Sequence, residues 1–236
     1  MREPAAAGKG LKMDTVTLGK LDNLYWLGRY TERVYQSIEM YMSTYDRLID
    51  RDAQYYKTEC ERMGIPDTFT DSRDFAWKIA FDETNQLSIV SNLTRAYDNA
   101  MIMRDEISSE ALSYIHLAVS EMKRAAASDA PILQLQNIVD MIYAFWGSLD
   151  DRVDNESARN TVKIGKRIER LDILLRRDTE RSDLAREMNR LVSRIDTTEL
   201  PYNRKALLYA AAMIEDEDAE YSDIKNMVME ILPPFL

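Results

Sequence analysis

The sequence predicts an all-α fold, a multi-helix bundle of about eight to ten helices. Turn signals are few, because the 236 residues include only seven glycines and six prolines. No segment alternates apolar and polar residues between turn signals, as a half-buried strand would. The first long segment repeats its inward positions at spacings of three and four, which is typical of a helix. These positions are Leu21, Leu24, Gly28, Thr31, Tyr35, Ile38, Met42, Tyr45 and Ile49.

The same periodicity, with the turn residues between apolar stretches, places ten helices in order. Gly64 and Pro66 are predicted to end the second helix. Asp129 is predicted to cap the sixth, with Pro131 in its first turn, and Asn203 to cap the ninth. The predicted helices span about residues 15–51, 52–63, 73–81, 85–104, 107–127, 132–147, 157–180, 183–195, 204–216 and 222–231.

Domain organisation and hydropathy limit the class of protein. Residues 1–14 are predicted to form a flexible leader, and 15–236 a single helical domain, because no linker separates two parts. The longest apolar run, 206–214, is far shorter than the roughly 20 residues that a membrane span needs. The N-terminus has no apolar core typical of a signal peptide. We therefore expect a cytoplasmic protein that does not bind membranes.

The charge distribution argues against general nucleic-acid binding. The net charge is −10, whereas nucleic-acid binding requires a basic surface. The charge is uneven, because residues 157–181 hold eight Lys/Arg against four acids. Such a patch binds a phosphate or an acidic partner, although an exposed helix with intrahelical ion pairs is the more common reason for it. The acidic run 215–220 is interpreted as solvated surface.

Cysteine and histidine chemistry has little support. The chain has one cysteine, Cys60, and one histidine, His116. An intrachain disulfide is therefore impossible, and a Cys/His zinc site lacks ligands. No motif supports a catalytic Cys–His pair, and His116 is interpreted as a structural helix residue. The sequence predicts no metal site and requires no cofactor.

A Gly-basic-x-x-Glu-Arg motif occurs twice, each time inside a predicted helix. The first copy spans Gly28 to Arg33 and the second spans Gly165 to Arg170. Within each copy the glycine and the glutamate are four residues apart and share a helix face. A helical glycine costs about 1 kcal/mol relative to alanine. We therefore expect another backbone or a ligand close to each glycine, and the two helices at one shared site.

A third charged cluster runs from Met103 to Glu110 and contains Arg104 and Glu106. Helical spacing from Tyr97 and Ala100 places Arg104 on the apolar face of its helix. A buried guanidinium must find a carboxylate, because an unpaired buried charge is very costly. Glu32 and Glu169 are the acids that we expect it to meet.

These three clusters resemble the alpha-E family of bacterial proteins, an α-helical domain named for its Glu-Arg motif. The segment 23–33 is similar to the family's N-terminal signature, 98–110 to its central motif and 164–170 to its second Glu-Arg motif. The family often has Gly-Arg where this chain has Gly165-Lys166. Its members are associated with circularly permuted ATP-grasp proteins. The resemblance therefore implies an ATP-grasp partner and a role in ATP-dependent peptide or amide-bond formation, or in modifying such products. Whether ATP is contacted, through that partner, stays open.

Three interpretations of the motifs remain open. In the first, the chain is a non-catalytic partner of an ATP-grasp-type ligase, and the chain binds a peptide or amino-acid substrate. In the second, it is an enzyme that acts on an amide or acyl group with Glu32 and Glu169 as acid and base. In the third, it is a scaffold in which the charged motifs are structural ion pairs. Homo-oligomers are compatible with all three. Gly28 and Gly165 are the close-packing candidates. The candidates for the ligand-binding or ion-pair network are Arg29, Glu32, Arg33, Arg104, Glu106, Arg167, Glu169 and Arg170.

Aromatic residues surround the first motif. Tyr25, Trp26, Tyr30 and Tyr35 lie within or next to it. Such residues line a ligand pocket in some proteins, but they more often pack in a core or an interface. The sequence leaves both interpretations open.

Overall fold

The computed structural model describes residues 18–50 and 54–232, and the side chains of all of these except 46–50. The described part contains ten α-helices and no strand, which confirms the all-α prediction. The predicted leader, 1–14, lies outside the described residues. The helices are α1 Leu18–Asp50, α2 Tyr55–Met63, α3 Ser72–Phe81, α4 Ile89–Ile102, α5 Ser109–Ala126, α6 Pro131–Arg152, α7 Glu156–Arg176, α8 Arg181–Ile195, α9 Arg204–Glu215 and α10 Tyr221–Ile231.

Local signals explain most helix ends. Gly64 ends α2 in a left-handed conformation with φ of 66°, which a residue without a Cβ adopts at little cost. Asn203 caps α9 by accepting a hydrogen bond from the amide of Ala206. The predicted cap of α6 is wrong. Because α6 begins at Pro131, Ala130 takes the cap position and Asp129 lies one residue too early.

Two boundaries differ from the predicted ones in ways that affect the site. Ser88 caps α4, so this helix begins at Ile89 rather than 85, and it ends at Ile102 rather than at Arg104. Helix α6 continues to Arg152, past the predicted end at 147, because Leu149 extends its buried face by another turn.

Helix α1 is the central element of the fold. It packs along α7 on one side and α4 on the other, and α5 and α6 form a closely packed pair. Helices α8 and α10 pack against α7, and α9 packs against both of them. One large apolar core joins these helices, and a small satellite cluster lies under α2 and α3. None of the ten helices in the described ranges is apolar enough over a sufficient length to cross a membrane.

Candidate functional site

The two motifs meet where α1 touches α7, backbone against backbone. A Cβ added to Gly28 would lie 2.8 Å from the carbonyl carbon of Val162 and closer still to its oxygen. A Cβ added to Gly165 would lie 3.0 Å from the carbonyl carbon of Tyr25 and closer still to its oxygen. The two glycines therefore stand in equivalent positions, and each leaves room for the other helix.

One turn further along, the Glu-Arg pairs of the two motifs are exchanged between the helices. Arg33 of α1 binds Glu169 of α7 with two hydrogen bonds, from Nε to Oε1 at 2.5 Å and from Nη2 to Oε2 at 2.9 Å. In return, Arg170 Nε of α7 lies 3.0 Å from Glu32 Oε1 of α1. Because contacts advance together along both helices, α1 and α7 run in the same direction here. Both glutamates are buried, each only 1% exposed.

Glu169 lies on the side of the crossing that faces α4. Besides Arg33, it accepts a hydrogen bond from Arg29 Nε at 2.7 Å, and the guanidinium of Arg29 also lies over the ring of Trp26, 5.1 Å from its centroid. Arg33 reaches α4 through Asn92 Oδ1 at 3.4 Å. Burial alone would raise the pKa of Glu169, but Arg29 and Arg33 outweigh burial, and the pKa lies below its usual value.

Glu32 lies on the opposite side, towards α8. Its Oε1 accepts a hydrogen bond from Gln36 at 2.8 Å, and its Oε2 lies 4.0 Å from Lys166 Nζ. Burial raises the pKa of Glu32 despite the opposing charges of Lys166 and Arg170. The pKa values of Glu32 and Glu169 thus shift in opposite directions. Arg29 and Lys166 occupy the same position in the two motifs and explain this difference, because Arg29 makes a short contact with Glu169 whereas Lys166 lies 4.0 Å from Glu32.

Lys166 is held instead against an aromatic ring. Its Nζ lies 3.9 Å from the centroid of Trp146 of α6, a cation–π contact. Burial lowers the pKa of Lys166 to about 8, with Glu32 opposing and Arg167 and Arg170 reinforcing the shift.

A third buried carboxylate, Glu187 of α8, completes the charged cluster on this side. It lies 2.7 Å from Arg167 Nη1, 2.6 Å from Arg190 Nη1 and 3.8 Å from Arg170 Nη1. Sequence reasoning missed Glu187. The signal was its position three residues after Leu184 and four before Leu191, two buried residues of α8, which places it on the inward face.

The structure does not bring Arg104 to the crossing, and the expectation that it turns inward is wrong. Helix α4 ends at Ile102, so helical spacing does not continue and Met103 takes the buried position. The Arg104 side chain is 65% exposed and lies 3.8 Å from Asp105. Glu106 is also outside the cluster, where it pairs with Lys20 of α1.

Next to Glu187, an open cleft of about 550 Å³ lies between α1, α7 and α8. Arginines outnumber acids in its lining by four to three. Its arginines are Arg170, Arg177, Arg186 and Arg190, and its acids are Glu39, Asp183 and Glu187. We call it the arginine cleft. Guanidinium groups bind carboxylates and phosphates through paired hydrogen bonds, so this lining suits an anionic group.

The aromatic residues of the first motif do not line one common pocket. Tyr25 is buried. Trp26 and Tyr30 stack with centroids 5.2 Å apart beside a shallow depression of about 300 Å³. Tyr35 lines the arginine cleft and forms a hydrogen bond of 2.8 Å with the hydroxyl of Tyr143.

Cysteine and histidine lie apart from these clefts. Cys60 is buried in the satellite cluster, and burial raises the pKa of its thiol to about 11. His116 is exposed on α5, beside the ring of Tyr97. Within the described part of the chain, no three His, Cys, Asp or Glu residues are grouped so that they could hold a metal ion.

Comparison with known proteins identifies the motif. No curated protein and no solved structure matches the chain. Residues 20–215 match Alpha-E, described as a predicted alpha-helical domain with a conserved ER motif. Glu-Arg occurs at 32–33 and 169–170 within that range, and these are the residues exchanged between α1 and α7. Since the match covers most of the sequence, this chain belongs to the Alpha-E family.

Proposed function

We propose that this chain is a non-catalytic helical partner of a circularly permuted ATP-grasp ligase in the cytoplasm. It takes part in forming or modifying peptide or amide bonds, and it holds an anionic group of the substrate or product in the arginine cleft. The family resemblance supports the partner and the reaction class. The cleft supports the binding role.

The observation that carries the binding role is the excess of guanidinium groups in the arginine cleft. Arg170 forms an ion pair with the buried Glu32, and Arg190 forms one with the buried Glu187. Their side chains remain 25% and 44% exposed, so their remaining N–H donors face the cleft. Anchored guanidinium groups lose little conformational entropy when an anion binds.

In this proposal the exchanged Glu-Arg pairs are the structural base of the cleft. An ion pair between buried groups fixes the relative position of two elements, because a shift of one helix would strand a charge. The crossing thereby fixes α7 against α1 and holds Arg170 at the edge of the cleft.

A second candidate function is acid–base catalysis by Glu32 and Glu169, favoured by one observation. Their environments move the two pKa values in opposite directions, as in enzymes that use one carboxyl as an acid and the other as a base. The geometry supports this candidate less well. The two glutamates face opposite sides of the helix pair, so a single reacting group would not reach both.

Co-purification with a circularly permuted ATP-grasp protein from the same organism, followed by a ligase assay with and without the chain, tests the proposal. We expect a complex and a faster or more complete reaction. Arg177→Glu, which reverses a charge in the arginine cleft, should raise the KM for the anionic substrate at least tenfold. Arg152→Glu is the matched control, since Arg152 is exposed at the end of α6, away from the cleft.

Absence of a complex, together with unchanged ligase activity when the chain is omitted, would reject the partnership. Equal effects of Arg177→Glu and Arg152→Glu would reject the cleft as the binding site. If Glu32→Gln folds normally and abolishes turnover by the isolated chain, the catalytic candidate replaces the proposal.

A further inference from the structure

A second cleft, of about 230 Å³, lies on the Glu169 side of the crossing, between α1, α7, α3 and the turn after α2. We call it the aliphatic cleft. Most of its wall is aliphatic, with Met40, Ile79 and Ile173 buried and Met63, Ile65 and Leu87 nearer the surface. Apolar clefts of this kind with a few charged groups are typical of small-molecule sites.

The volume sets the size of the occupant. An apolar cavity of about 150 Å³ holds benzene, which has six carbon atoms. At the same space per atom, 230 Å³ accommodates roughly nine non-hydrogen atoms. That is the size of leucine or isoleucine, and it is too small for a nucleotide or a drug-sized ligand.

The charged groups of the aliphatic cleft balance one another. Arg33 and Arg176 line it together with Glu169 and Asp172. Such a set suits a ligand that carries both charges, whereas an excess of arginines, as in the arginine cleft, suits an anion. The two clefts therefore differ in the ligands that they favour.

Asp172 and Arg176 retain groups that a ligand can use. Arg176 donates from Nε to Asp172 Oδ1 at 3.1 Å and from Nη1 to the carbonyl oxygen of Met63 at 3.1 Å. Among the described residues, neither Asp172 Oδ2 nor Arg176 Nη2 has a hydrogen-bond partner. Asp172 is only 6% exposed and lines the aliphatic cleft, so its carboxylate is largely enclosed by protein at the edge of that cleft.

We propose that the aliphatic cleft binds one aliphatic α-amino acid in its zwitterionic form. The side chain packs between Ile79 and Ile173, the ammonium group binds Asp172, and the carboxylate binds Arg176. Because the aliphatic cleft is separate from the arginine cleft, this site stands whether or not the chain assists a ligase.

Calorimetric titration of the intact chain with leucine and isoleucine tests the proposal. We expect saturable binding with a dissociation constant of about 1 mM or lower, the range for a ligand of this size. Alanine, which leaves the aliphatic wall unfilled, should bind at least tenfold more weakly. Leucine amide and N-acetyl-leucine, which each lack one charge, should also lose at least tenfold.

Two variants and one control variant locate the site. Ser37→Leu, on α1, fills the aliphatic cleft and should abolish leucine binding, whereas Ser43→Leu, on the same helix but lining the arginine cleft, should leave it unchanged. Asp172→Asn should weaken leucine at least tenfold and N-acetyl-leucine much less, because only leucine carries the ammonium group. Circular dichroism checks the folding of each variant, and Asp172→Asn keeps the test informative if Ser37→Leu does not fold.

Several results would overturn the assignment. The wild-type chain binding neither leucine nor isoleucine up to about 10 mM would do so, as would undiminished leucine binding by Ser37→Leu. Equal affinity for leucine and N-acetyl-leucine would reject zwitterion recognition and indicate a peptide end instead. None of these results affects the expected behaviour of Arg177→Glu with the ligase.

Discussion

Substitution of Gly28 by alanine should destabilise the protein even though alanine is the better helix former. The added Cβ would lie 2.8 Å from the carbonyl carbon of Val162 and 3.0 Å from the amide nitrogen of Lys166. Carbon atoms pack at about 3.5–4.0 Å, and the carbonyl oxygen of Val162 would lie closer still, so the two backbones must separate by at least about 1 Å. All the close atoms are backbone, and no side chain can turn away to relieve the contact.

The size of the effect follows from three contributions. Overpacking of this kind costs about 1–3 kcal/mol. Separation of the helices also lengthens the Arg33–Glu169 and Arg170–Glu32 ion pairs. Removing one partner of a buried ion pair costs about 3–5 kcal/mol, so weakening these pairs without breaking them should cost about 2 kcal/mol. The higher helix propensity of alanine returns about 1 kcal/mol. We expect a net loss of about 3 kcal/mol.

Urea denaturation measures this loss as a lower unfolding free energy, and thermal denaturation should show a midpoint about 6–12 °C lower. Gly147→Ala is the matched control, because Gly147 lies within α6 and a Cβ there would have no neighbour within 4 Å. It should stabilise the protein by up to about 1 kcal/mol. If Gly28→Ala were as stable as the wild type, the close approach of α1 and α7 would be refuted.

Three further predictions concern the charged groups. Glu169→Gln leaves Arg29 without its carboxylate and should lower the unfolding free energy by about 3–4 kcal/mol at pH 7. The folded pKa of Glu169 lies below its usual 4.5, so the charged carboxylate stabilises the fold above that pH and this contribution is lost on acidification. The variant should therefore lose less stability than the wild type when the pH falls below 4.5. The pKa of Lys166 is lowered from 10.5 to about 8, so the folded protein binds this proton more weakly than the unfolded chain. The unfolding free energy should therefore rise between about pH 8 and 10.5 in the wild type and rise less in Lys166→Met. Equal slopes of the unfolding free energy against pH, measured by urea denaturation, would contradict this. Arg104→Ala should change stability by less than about 0.5 kcal/mol, and a loss of several kcal/mol would show that Arg104 is paired inside the protein.

Helix periodicity predicted the architecture well because it depends on local spacing. About eight to ten helices were expected, and ten are present in the described part of the chain. The failures occur at helix ends, where one residue changes the direction of a side chain. The exposed position of Arg104 illustrates this, because a helix that ends at Ile102 rather than two residues later turns the guanidinium to solvent.

The partners of charged residues were predicted less well than their burial. Glu32 and Glu169 were expected inside the protein, and both are buried. Glu32 pairs with Arg170, and Glu169 pairs with Arg29 and Arg33. Neither glutamate pairs with Arg104, the partner that was expected. Spacing along a helix shows which face a residue occupies, but it does not show which residue of another helix lies opposite.

The sequence by itself determined the all-α architecture, the repetition of the Gly-basic-x-x-Glu-Arg motif and the membership that this motif indicates, because all of these are patterns within single helices. Only the tertiary structure decided that the Glu-Arg pairs are exchanged across α1 and α7, that Glu187 joins them, and that two clefts of different charge lie on opposite sides of the crossing. These features arise between helices distant along the chain, where packing and the pairing of buried charges fix the geometry.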